Sequence, residues 1–441
     1  MRFLEQRFAL AAHGTTIRTE ALAGLTTFLT MAYIIFVQPA VLSACGMDFG
    51  AVLVATCLST AFATVLMAFL ANYPIAVAPA MGHNFFFAYS VVLGMKVPWR
   101  VALGAVFIAG AIFILTAGIG LRERLITAIP ASLKHAIAAG IGLLIAMVGL
   151  QWAGLIVAAP GTLVTLGDLH SRPVLLAIAA LVLTSILMAR RIPGALLFGI
   201  LASTAIGLPL GIVRYQGVAS PPPSLTPTLL QLDVAGAFAP GMVAVVFVFF
   251  FLALFDSVGT LVGVGSQAGL MRDGTLPNAR GALLADAIGT VAGALLGTST
   301  VTAYIESGAG VSAGGRTGLA SLVTAALFLA SLFLYPLVRM IGGGYVLGQT
   351  TLYPVIAPPL ILVGTMMIGG LRHVEWDDPT EAIPAFLTLI IMPLAVSITE
   401  GVAFGLLAYV VLKLATGRGR EVHPLMYVFA VLFLARYAFL R

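Results

Sequence analysis

Charge is what this sequence has least of. Only 9% of its 441 residues are Asp, Glu, Lys or Arg, where soluble domains carry about a quarter. That scarcity excludes water as the main solvent of the folded chain. Cysteine is nearly absent as well. Cys45 and Cys57 lie in or near apolar stretches with no metal-knuckle spacing, so they read as buried thiols, and a disulfide-stapled scaffold is excluded. No zincin, P-loop or nucleophile-elbow motif occurs. Gly263, Gly265 and Ala268 match the dinucleotide pattern G-x-G-x-x-G/A, but inside a membrane-length apolar run and not after the strand that pattern requires. An enzyme reading has little to stand on. The N-terminal MRFLEQRF is polar and leads into a full-length span, without the short apolar core of a secretory signal.

What the chain has is hydrophobic length. Residues of the hydrophobic class make up 61%, and apolar stretches recur from Ala21 to Val411. A helix needs about 20 such residues to cross a bilayer. The expectation is an all-α polytopic membrane protein of about fourteen spans. With the N-terminus inside, 17 of the 22 basic residues fall on the inner side, among them Arg122, Arg124, Lys134, Arg190, Arg191, Arg272 and Arg436. Outside fall Lys96, Arg100, Arg172, Arg214 and Arg339. This is the usual cytoplasmic bias, and it places both termini in the cytoplasm of a cell with the chain in its plasma membrane. The +6 charge is dispersed over short loops and offers no nucleic-acid face.

A Pro-rich interval containing SPPPSLTPT divides the chain near its middle. It sets off a first repeat over 1–215, a loop over 216–236, a second repeat over 237–420 and a C-terminal apolar segment over 421–441. Two apolar segments are broken by Gly, Pro and polar residues about half a chain apart: AVAPAMGHNFFFAY and GTSTVTAYIESGAGV. Paired interrupted segments point to a transporter binding site built from an inverted repeat. Seven spans per half make the two halves run in opposite directions. Ile75 and Val77, and then Thr298 through Thr302, suit an extended backbone, so each broken segment is expected to be a short strand feeding a half-helix. Extended backbone at membrane depth is tolerated only where protein or a wet cavity satisfies it, which brings the two segments together inside the bundle.

The chemistry concentrates at these breaks. In VFFFLALFDSVGTLVGVGSQ, Asp256, Thr260, Gly263 and Gln267 fall on one helical stripe. An intramembrane carboxylate is costly and is a functional candidate by default. Glu306 has the same standing. Asn84 can donate and accept at the mixed edge of a heterocycle, or satisfy broken backbone. His83 is either a proton carrier or a packed imidazole. Phe85, Phe255 and Tyr304 neighbour these groups and could stack on a flat ring, or simply pack. Asp286 and Glu400 read as span-end groups, and Glu375, Asp377, Asp378 and Glu381 as a solvated loop. Gly289, Gly293 and Gly297 repeat a close-packing spacing. The segment MYVFAVLFLARYAFL is short for a span and reads as interfacial.

At these residues the sequence resembles the azaguanine-permease-like branch of the nucleobase:cation symporters. The strings AGLTTFLTMAYIIFVQPAVL, PIAVAPAMGHNFFFAY, IPASLKHAIAAGIGLLIAMVGLQ, LFDSVGTLVGV and ALLADAIGTVAGALLGTSTVTAYIESGAGVSAGGRTGL carry the likeness across nearly the whole chain. The resemblance implies a 7+7 inverted repeat with core and gate domains, and proton-coupled uptake of adenine, guanine or hypoxanthine. It also implies that Asp256 and Glu306 bind the base and that Asn84 helps shape the site. Proton coupling would use Asp256, Glu306 or His83. No cofactor is implied beyond the coupling ion, a proton or another cation. The partners are a purine base and lipid, with a homodimer left open. Two departures stand out: the family's D-L-F-D pattern has Ala253 in its first place here, and His83 replaces an apolar residue. An anion transporter of the same fold and a pyrimidine or xanthine carrier are the alternatives.

Overall fold

In a bilayer every backbone N–H and C=O must find a partner within the protein, and long apolar runs meet that demand as helices. The computed structural model describes residues 2–119, 130–239, 241–271, 276–348 and 350–439; Arg122, Arg124, Arg272 and the side chain of Arg436 lie outside what is described. A short α1 (Arg2–Phe8) precedes α2 (Ile17–Met31), which runs on into α3 (Ile34–Ser43), and then α4 (Phe49–Leu70). Strand β1 (Val77–Pro79) feeds the half-helix α5 (Met81–Phe85), which widens into a π-helical stretch over Phe86–Gly94. The first half continues with α6 (Trp99–Ile119), α7 (Ala131–Trp152), the hairpin of β2 (Ile156–Ala159) and β3 (Leu163–Leu166), α8 (Arg172–Ala189) and α9 (Ala195–Gly207).

The second half opens with α10 (Met242–Gln267) and α11 (Ala279–Leu296). Strand β4 (Val301–Ala303) then feeds α12 (Ser307–Ser312), followed by α13 (Gly318–Ala330) and α14 (Tyr335–Gly342). A hairpin of β5 (Tyr345–Leu347) and β6 (Thr350–Leu352) leads to α15 (Ala357–Ile368), α16 (Pro379–Leu394), α17 (Ile398–Ala415) and α18 (Pro424–Phe439). Among the described residues nine helical stretches are long and apolar enough to cross a membrane. The two strand and half-helix segments and the shorter α9, α15 and α16 bring the crossings to the expected fourteen. The C-terminal segment is a sixteen-residue helix, α18, packed on α17.

The helices sort into two bodies. In the core, α4 packs on α3, α11 and α13, α2 on α12 and α13, and α6 on α10 and α11. In the gate, α7 packs on α15, α16 and α17, and α15 on α8. Close approach in the core needs glycine: a Cβ on Gly289 would lie 2.6 Å from the Cβ of Ala63, and one on Gly293 would lie 2.8 Å from a Val301 methyl. The spacing read as packing is therefore where α11 meets α4 and β4.

The repeat is visible in the hydrogen bonds. Thr64 of α4 brackets Val77 of β1, its hydroxyl donating to the carbonyl at 3.1 Å and accepting the N–H at 3.0 Å. Thr290 of α11 brackets Val301 of β4 in the same way, at 2.8 and 3.2 Å. The two strands pair antiparallel, Val77 with Ala303, Ala78 with Thr302 and Pro79 with Val301. One motif of helix, threonine clasp, strand and half-helix thus occurs twice, in opposite directions.

Two expectations need correcting. Asp286 is not a solvated span-end group: it is fully buried within α11, where it accepts the Ala303 N–H at 3.2 Å. In the first repeat Pro79 occupies the equivalent strand position and has no N–H to satisfy. The acidic run is a solvated loop only at Glu375 and Asp377, which are exposed. Asp378 caps α16 through Thr380, and Glu381, inside α16, is buried 3.0 Å from the ammonium of Lys413. Lys413 also reaches Glu421 at 3.0 Å, while Arg418 pairs with Asp378 at 2.6 Å and with Glu421 at 2.9 Å.

Candidate functional site

The β1–β4 crossing is short, and its ends are extended by Tyr304 N–H to Ala76 and Ala80 N–H to Thr300. Because strand side chains alternate, Thr302 projects from β4 toward α10, where its hydroxyl donates to Asp256 Oδ2 at 2.8 Å. Asp256 is solvent-accessible although it lies midway along a membrane-length helix, so it faces an open cavity. Gly259 and Gly263, on the turns that follow, have no neighbour within 4 Å of where a Cβ would stand. Of the stripe read from the sequence, Asp256 and Gly263 are on this exposed face, with Gly259 between them.

Glu306 stands at the start of α12, and Oε1 accepts the Tyr33 hydroxyl of the first repeat at 2.7 Å. Thr30 adds a bond to the Glu306 carbonyl at 3.3 Å. Glu306 follows four residues after Thr302, the partner of Asp256, so β4 and the start of α12 bring the two carboxylates to one region. The Tyr304 hydroxyl donates to the Pro79 carbonyl at 2.5 Å, tying β4 back to β1. Asn84 is fully buried. Its side-chain oxygen accepts from Ser299, and its amide makes a longer contact of 3.5 Å to the Pro79 carbonyl.

Other candidates are placed differently. His83 is buried in α5, next to Asn84, and makes no ion pair with either carboxylate among the described residues. Phe85 is fully buried in a stack with Tyr89, ring centres 5.6 Å apart, and beside Trp152. Phe255 is half-buried between Phe251 and the ammonium of Lys134, 5.7 Å above its ring. Thr260 is buried one turn beyond Asp256. Gln267 turns away from the cavity and holds α12, donating to Gly308 at 3.2 Å and Ser312 at 2.8 Å.

Sequence reasoning missed Tyr33, Thr302 as the partner of Asp256, and the paired clasps of Thr64 and Thr290. Hydroxyls within apolar helices are common, and only the partner across the repeat distinguishes these. The chemical outcome is a pair of carboxylates at the strand crossing, each held on one oxygen by a hydroxyl.

Comparisons with known proteins agree with this architecture. The model of the xanthine/uracil permease family, described as a permease family, matches residues 18–404. Adenine permease AdeP of Escherichia coli is 46% identical over 99% of this chain and 96% of its own. Guanine/hypoxanthine permease PbuG of Bacillus subtilis is 45% identical over 97% of this chain and 98% of its own. Among solved structures, the transmembrane domain of the cyanobacterial bicarbonate transporter BicA superposes with a TM-score of 0.63 at 20% identity, over 87% of this chain and 97% of that one. That likeness concerns the fold, a 7+7 inverted repeat. With a family model spanning most of its length and relatives alike from end to end, the chain belongs to the xanthine/uracil permease family of multi-pass membrane transporters.

Proposed function

We propose that this chain imports purine nucleobases (adenine, guanine or hypoxanthine) and that Asp256 and Glu306 bind the base. The observation that carries the reading is the convergence of these two carboxylates at the strand crossing on a water-reached wall, held by Thr302 and Tyr33. A purine offers N–H donors along its edge and a flat face, and ionised carboxylates accept such bonds strongly. Asn84 shapes the pocket from the first repeat, with Thr260, Tyr304 and Phe255 around it. Two carboxylates facing one cavity would repel an anion, so the likeness to a bicarbonate carrier ends at the fold. The adenine and guanine/hypoxanthine permeases aligned along nearly the whole chain support the same cargo.

Coupling follows from the same groups. A carboxylate that takes up a proton on one side of the membrane and releases it on the other ties base movement to the proton gradient, and Asp256 suits this because it is exposed, with Thr302 holding one oxygen. The bias of basic residues supports cytoplasmic termini in a plasma membrane, with import as the direction. Alternating access is movement of the core, which carries both broken segments, against the gate.

Uptake of labelled adenine, guanine and hypoxanthine into proteoliposomes tests the reading. The expected result is accumulation of at least one base, stimulated by an inward proton gradient and lost in Asp256→Asn. Failure to move any purine overturns the cargo, and competition by uracil or xanthine identifies the neighbouring one. Full uptake and full pH dependence in Asp256→Asn removes that residue from the mechanism.

A further inference from the structure

Core and gate meet unequally at the two ends of the cavity. Trp152 closes the C-terminal end of α7, in the gate, and its indole N–H donates to the Tyr89 hydroxyl of the core at 3.0 Å. The same indole lies 4.4 Å from the ring of Tyr353, whose N–H bonds back to the Trp152 carbonyl at 2.8 Å, so the tryptophan is fixed to its own body. On the core side Tyr89 stacks on Phe85, and the next residue, Ser90, donates to the Val396 carbonyl of the gate at 2.9 Å. Tyr89 and Ser90 lie in the π-helical stretch, an irregularity frequent at functional positions. At the other end the wall is open, with Asp256, Gly259 and Gly263 exposed. There Lys134 reaches Phe255, roughly 27 Å from Trp152 along α7 at 1.5 Å per residue.

We propose that Trp152 and Tyr89 are gating residues of the transport cycle: their contact plugs one end of the cavity, and it must part for the base to pass there. The inference rests on the transporter reading and adds residues outside the carboxylate site. A single hydrogen bond and a stacked ring pair are suited to the task, because a contact that parts in every cycle has to be breakable by thermal motion. Neither side chain reaches the carboxylates, so each acts on passage and not on binding.

The chain carries its own reporter. Cys45 is buried in the turn between α3 and α4, bonded to the Leu42 carbonyl at 3.0 Å, and belongs to the buried cluster that holds Phe85 and Trp152 and against which Tyr89 packs. Cys57 is fully buried in α4, away from it, and serves as a folding control. The full chain in nanodiscs is treated with a membrane-impermeant maleimide, and modification of each cysteine is followed by mass spectrometry. Tyr89→Phe and Trp152→Phe are expected to raise the Cys45 rate about tenfold with Cys57 unmodified and purine affinity kept. Cys45 rates unchanged in both variants overturn the proposal. Equal modification of Cys57 in Trp152→Phe marks unfolding, and Tyr89→Phe, which removes one oxygen, then decides. Faster Cys45 modification with no purine bound upholds the gate and overturns only the cargo; purine transport with the Cys45 rate unmoved does the reverse.

Discussion

Thr302 donates its hydroxyl to Asp256 at 2.8 Å, so the strand of a broken segment sets the direction of a carboxylate on a continuous helix. Ala303, the next residue, is held by Asp286, and Val301, the one before, by Thr290. The aim of Asp256 therefore depends on how β4 is clasped.

The hydroxyl partners of the two carboxylates are expected to matter for affinity more than for folding. A hydrogen bond to a charged group contributes about 1.5–3 kcal/mol, and about 1.4 kcal/mol is tenfold in a dissociation constant. Thr302→Ala and Tyr33→Phe should each weaken purine binding about tenfold while the protein remains monodisperse. Equilibrium binding of labelled base to purified protein measures it. An unchanged affinity in both would detach these hydroxyls from the site.

The clasps predict a matched pair of stability losses. Thr64→Val and Thr290→Val each strip one strand residue of its partners for both N–H and C=O, leaving buried backbone groups unmet at a cost of about 1–3 kcal/mol apiece. Thermal unfolding in detergent should show lowered midpoints of similar size for the two variants. A large loss in one with none in the other would contradict the repeat symmetry of the crossing.

Much of this was legible in the sequence, and the reason is locality. Pro79, Glu306 and Asp256 break apolar runs by themselves, so the broken segments, the strands and the carboxylates announce their places within a window of a dozen residues. Asp286 announces nothing, because its meaning lies in the N–H of Ala303, seventeen positions on and turned by a strand. Gln267 kept the helical spacing of the stripe yet bends to Gly308, which helical periodicity cannot foresee. Asp378 and Glu381 were misjudged likewise, since Arg418 and Lys413, which neutralise them, arrive from the far end of α17.

That ion cluster sets a pH expectation for the C-terminal helix. Its bond from Arg418, helped by Thr380, holds the Asp378 carboxyl well below the usual carboxylate range, and Arg418 followed by Lys413 draws Glu421 down to about 2. Groups with folded values below their unfolded ones stabilise above the unfolded value of about 4 and lose that contribution as pH falls through the folded one. Attachment of α18 should be constant from pH 8 to about 5, then loosen toward pH 2. Arg418→Gln should loosen it already at neutral pH, modestly, because exposed pairs are screened by salt. Amide exchange over 421–439 reads both, and a helix equally protected in the variant and at low pH would rule the cluster out as its anchor.

The antiparallel register of β1 and β4 has a further consequence for biogenesis. During synthesis β1 enters the membrane roughly 220 residues before β4 exists. Through that interval the chain carries strand groups whose final partners have not been made, in a solvent that offers none. The pocket is consequently completed only when the halves meet: both carboxylates come from the second repeat, while Tyr33 and Asn84 come from the first. A split chain should transport only where both pieces are made together, and its ancestor as two separate halves would have had to work as a pair.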